Sequence, residues 1–109
     1  MSEESLKTLS DNASEAHARI QATYQHINPV VGVRRGMRDS GIPADAMTIE
    51  CLQTRRRILL VLHDGEPGVV LYQFGSMDEE AGGDFERIPL GEVGVETLFE
   101  WMRNYFSSN

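Results

Sequence analysis

Cysteine is almost missing from this chain of 109 residues. Cys51 stands alone, so no disulfide can close within one chain and no cluster of thiolates can hold a metal. Long apolar runs are missing as well: the longest, Ile58 to Leu62, falls far short of the ~20 residues that cross a bilayer. The opening Met-Ser-Glu-Glu has neither the basic nor the apolar stretch of a secretory signal. These absences lead to the expectation of a cytoplasmic protein with no membrane partner. Basic charge is scarce too, ten Lys and Arg against 17 Asp and Glu for a net charge of −7, and long-range repulsion then argues against nonspecific nucleic-acid binding.

Ligand and cofactor spacings are also lacking. His17, His26 and His63 offer no pair at the spacing of a zinc site. The acidic run Asp78-Glu79-Glu80-Ala81-Gly82-Gly83-Asp84 fails the alternating ligand order of a calcium loop and reads as a solvated connection. Gly32, Gly36 and Gly41 match neither the dinucleotide fingerprint nor the phosphate loop. No metal and no cofactor is expected.

What is present favours a folded chain: 40% hydrophobic and 25% charged residues lie near the globular average. The length suits one domain over residues 1–109. Leu6, Leu9, Ala13, Ala16, Ile20, Tyr24 and Ile27 recur at helical spacing with a narrow seam. Ser10-Asp11-Asn12 are poor helix-interior residues and Asn12 with Glu15 resembles a capping box, so regular helix is expected from about residue 12 and residues 1–10 are open to fraying. Asn28-Pro29 can start a second, short helix running to Asp39 and closing at Gly41. After Ile42-Pro43 the period becomes two. Strands are expected at Met47–Leu52, Arg57–His63, Val69–Phe74 and Phe85–Leu90. The second is apolar on both faces, the mark of a central strand covered on both sides. Val95, Leu98, Phe99, Met102, Tyr105 and Phe106 form the apolar arc of a C-terminal helix. The expected fold is therefore α+β: a four-stranded antiparallel meander with an N-terminal helix, a short second helix and a C-terminal amphipathic helix packed on the sheet.

Three constellations carry functional alternatives. On a helix from Pro29 to Asp39, Arg34, Arg35 and Arg38 share one side and can grip a carboxylate, a phosphate or an acidic partner through bidentate contacts, or pair with the acidic C-terminal half of the same chain. His63-Asp64, at the end of the central strand, can be read as an acid/base pair of a small enzyme, or as the end of a strand and the start of a turn. Trp101, at the margin of the C-terminal arc, is either core edge or a partner's anchor. Cys51 alternates in phase with Met47 and Ile49 and is expected to be a buried, inert thiol. The reading that asks least of these residues is a non-catalytic protein-interaction or regulatory module. It would bind a protein partner or a second copy of itself through the seam of the first helix or a free strand edge; a small-molecule ligand stays open.

Overall fold

The period-two segments pair into one antiparallel sheet. A computed structural model describes residues 2–24, 27–34, 36–79 and 84–106. The chain runs through helix α1 (Ser2–Thr23), strand β1 (Pro29–Arg34), the single turn α2 (Gly36–Asp39), and strands β2 (Ala44–Cys51), β3 (Arg56–His63), β4 (Val69–Ser76) and β5 (Glu86–Pro89). A 3-10 turn (Leu90–Glu92) and helix α3 (Val95–Phe106) follow. Strand order is β1-β2-β3-β4-β5, each neighbour antiparallel. The α+β class and the meander are as the sequence suggests, with five strands instead of four.

The fifth strand lies where the sequence suggested the short helix Pro29–Asp39. Only Gly36–Asp39 is helical. Val30, Val31 and Val33 are β-branched and stiff at χ1, and Gly32 lowers helix propensity further. Extended, the segment pairs with β2 from Pro29↔Cys51 to Arg34↔Ala46, satisfying backbone groups along β2 that a helix would leave without strand partners. Tertiary pairing therefore overrides the Asn28-Pro29 helix-start signal.

Helix α1 departs from expectation in the opposite direction. It continues through Ser10-Asp11-Asn12, and Leu6 and Leu9 are buried together with Ala13, Ala16 and Ile20. Lys7 pairs with Asp11 on the exposed side at 2.9 Å, while Asn12 Nδ2 donates to the Val93 carbonyl at 3.2 Å. Asn12 thus ties α1 to the segment before α3 instead of capping a helix. The α1 seam is consumed internally, so it offers nothing to a partner.

Strand register assigns the two faces of the sheet. Met47, Ile49 and Cys51 on β2, Ile58 and Leu60 on β3 and Val70 on β4 share one core with α1 and α3. On α3, Leu98, Met102 and Phe106 are buried as the arc implies, but Phe99 is only half-buried and leans on Tyr24, ring centroids 6.3 Å apart. The last turn of α3 is fastened to the sheet: Arg56 donates to the Tyr105 carbonyl at 2.7 Å, and the Tyr105 hydroxyl donates to the Gly75 carbonyl at 2.8 Å. Among the described residues no helix is long and apolar enough to cross a membrane.

Candidate functional site

Both long helices pack on one face of the sheet; on the other, among the described residues, Ala46 and Thr48 are buried but Leu59 and Val61 are only half-buried. Along β3, Ile58, Leu60 and Leu62 are buried toward the helices, while Leu59 and Val61, on the opposite face, remain half-buried. The register sets Thr48 beside Leu59 and Ala46 beside Val61, so two strands provide a mostly aliphatic floor. Met37 of α2 joins the lining. So do Met77 and Phe85, from the two described ends of the β4–β5 connection. Together they bound an open cleft of about 630 Å³, within the usual range of binding clefts. The expectation that the central strand is covered on both sides is met only in part among the described residues: Ile58, Leu60 and Leu62 are buried, Leu59 and Val61 half-buried. A single helical turn is too short to roof this face.

Four charged residues complete the lining: Arg34, Arg57, Asp78 and Glu79. Asp78 is engaged by Arg55, whose Nη2 lies 2.9 Å from its carboxylate, and Arg55 itself sits in the left-handed region at φ 61° within the β2–β3 turn. Arg57 donates to the Ser76 and Glu79 carbonyls at 3.4 and 3.2 Å and lies 3.8 Å from the Glu50 carboxylate. Arg34, exposed at the end of β1, has no partner among the described residues. Methionine side chains are unbranched and polarizable, so they adapt to irregular apolar surfaces.

The residues singled out in the sequence are dispersed. Arg34 is on a strand, Arg38 is on α2, and Arg35 lies outside the described residues; no common helical face joins Arg34 to Arg38. Arg38 is committed within the chain. Its Nε and Nη2 donate to the fully buried Asp45 at 2.8 and 3.0 Å, and its Nη1 and Nη2 to Asp64 at 3.0 and 2.9 Å. The hydrogen bonds to Asp64, and then to Asp45, hold the guanidinium charged far above its ordinary range. This clip fastens α2 to the start of β2 and to the β3–β4 turn.

His63 and Asp64 take part in that turn. The Gly65 N–H donates to His63 Nδ1 at 2.9 Å, and the Asp64 N–H to the Pro43 carbonyl at 2.9 Å. Asp64 faces Arg38 and neither residue lines the cleft. Trp101 stacks 4.7 Å from Tyr72 and meets Phe74 edge-on at 5.5 Å, on the helix side, away from the cleft. Cys51 is buried in the core. Among the described residues no three His, Cys, Asp or Glu side chains gather where a metal could bind.

Sequence reasoning passed over Arg57, Leu59, Val61, Met37, Met77 and Phe85 as site residues. Their signal was the strand apolar on both faces, one of which both long helices of the described residues leave to other cover. Comparison with protein-family models, with curated protein sequences and with solved structures finds no match to this chain.

Proposed function

We propose that this protein is a non-catalytic interaction module that receives a segment of a partner polypeptide on the open face of its sheet. The observation that carries the reading is the cleft itself: an aliphatic floor on the central strands, with Met37, Met77 and Phe85 in its lining. Rigid strands position the floor while flexible side chains complete the lining, a division that suits recognition by packing. Burying such a surface is favourable at roughly 25 cal/mol per Å² of apolar area removed from water. The enzyme reading draws no support from His63, whose Nδ1 is occupied by the Gly65 N–H at a turn outside the cleft.

A photo-crosslinking residue in place of Val61 tests the proposal. It should form an adduct with a polypeptide in cells, while the same residue in place of Ala22, exposed on α1, should not, and Leu59→Glu should weaken the Val61 adduct. Equal labelling from both positions, or none from Val61, rejects the proposal.

A further inference from the structure

Arg34 is the exception among the described arginines. Arg19, Arg38, Arg55, Arg87 and Arg103 each meet a carboxylate, and Arg56 and Arg57 donate to carbonyls. A chain with 17 acids and ten bases does not leave an arginine unpaired for want of acids. Arg34 is unpaired because of its place. It stands in the same cross-strand row as Ala46 and Val61, and these two side chains of the cleft floor offer no acceptor. Across the cleft, Asp78 is held by Arg55.

We infer that the segment received by the cleft is amphipathic and acidic, its apolar side chains packing on Leu59 and Val61 while a carboxylate at its margin pairs with Arg34. This rests on the open face being the docking surface. The planar guanidinium matches a carboxylate bidentately, and an apolar floor that excludes water strengthens the pair. Arg57 stands at the opposite corner of the floor, two strands and four residues away, or about 16 Å between Cα atoms at ordinary strand spacings. Its nearest carboxylate, Glu50, is 3.8 Å away. With the Ser76 and Glu79 carbonyls also accepting from it, Arg57 is already engaged, and among the described residues Arg34 is the cation of the lining left for the segment. Long-range electrostatics work against this choice, because a protein of charge −7 attracts cationic peptides in general. A preference for an acidic segment thus reports the local arginine.

The probes are two synthetic amphipathic peptides of about 18 residues, long enough to hold a helix, identical except that one carries Glu and the other Lys along the margins of its apolar face. Fluorescence anisotropy at physiological salt, where screening confines charge effects to about 8 Å, measures both against the full chain. The Glu peptide should bind about tenfold more tightly, the scale of one charge-assisted contact. Arg34→Glu should reverse the order; Arg19→Glu, on α1, should leave it unchanged. Met37→Glu in the lining, or Val61→Glu on the floor, should abolish binding of both, with urea midpoints confirming that each variant is folded. Equal binding of the twins, or tighter binding of the Lys peptide, overturns the acidic partner while Met37→Glu sensitivity keeps the docking face. Absence of binding by either, or binding indifferent to Met37→Glu and Val61→Glu, overturns the docking face as well.

Discussion

Replacement of Phe106 by Ala tests how α3 is seated. Phe106 is 2% exposed, fills the core beside Met102 and Leu98, and lies in a last turn held by the Arg56 and Tyr105 hydrogen bonds. It therefore cannot escape the cost of truncation by fraying. Removing a fully buried phenylalanine ring costs about 3–5 kcal/mol, through lost transfer energy and the cavity left behind, from a total of roughly 5–15 kcal/mol for a domain. Phe99, half-buried against Tyr24, keeps part of its ring in water, so Phe99→Ala should cost about half as much, roughly 1.5–2.5 kcal/mol. Glu100→Ala, which removes a partly exposed contact with Arg103, should change stability by no more than about 0.5 kcal/mol. Urea unfolding reads the three variants on one scale. With a slope of about 1–3 kcal/mol per molar, Phe106→Ala should lower the midpoint by about 1 M or more, and the three should rank Phe106, Phe99, Glu100. If Phe106→Ala and Glu100→Ala unfold together, α3 is not docked through its inner arc and the reasoning fails.

Other perturbations probe the clip, the acid limb and the thiol. Arg38→Ala should lower the urea midpoint more than Asp64→Ala, because the first strips two hydrogen bonds from the buried Asp45 whereas the second acts on a partly exposed carboxylate; the reverse order refutes the clip. Arg87 hydrogen-bonded to Glu66 holds the Glu66 carboxyl below its ordinary value of 4.5, so the pair's contribution is complete above that value and is lost as pH falls through the lowered one. The difference in urea midpoint between wild type and Arg87→Ala should accordingly shrink on acidification, and a difference that grows contradicts the assignment. Cys51, 1% exposed, should react with a thiol reagent only as fast as the protein opens; rapid labelling of the folded chain at neutral pH would count against its burial.

Local periodicity was enough for the parts of the fold whose signals agree with their surroundings. The α3 arc is the clearest case, because Leu98, Met102 and Phe106 repeat at helical spacing and no breaker interrupts them. β3 and β4 were legible for the same reason, bounded by turns in which Gly68 adopts φ 77°. Pro29–Arg34 misled because its local cues conflict: Asn28-Pro29 opens a helix as readily as it precedes a strand, while Val30, Val31 and Val33 prefer extension. The deciding contribution is pairing with Met47, Ile49 and Cys51, which lies in no short window of sequence. Ser10-Asp11-Asn12 misled in the same way, since the Val93 carbonyl that accepts from Asn12 Nδ2 is 81 residues away.

The cleft was half legible, and the missing half follows from counting faces. A central strand apolar at Ile58, Leu59, Leu60, Val61 and Leu62 requires cover on both sides, and the sequence has two amphipathic helices long enough to supply it. Whether they divide between the faces or share one depends on how the loops direct α1 and α3. The Asn12–Val93 hydrogen bond, the Arg19–Glu96 pair and the Tyr24–Phe99 contact place them side by side on one face. Leu59 and Val61 then face away from both helices, and among the described residues the four-residue α2 and the two ends of the β4–β5 connection leave them half-buried. An aliphatic surface prepared by the sequence and left half-buried by the fold is what the Arg34 and Met37 variants interrogate, and it would have gone unnoticed had the two helices taken opposite faces.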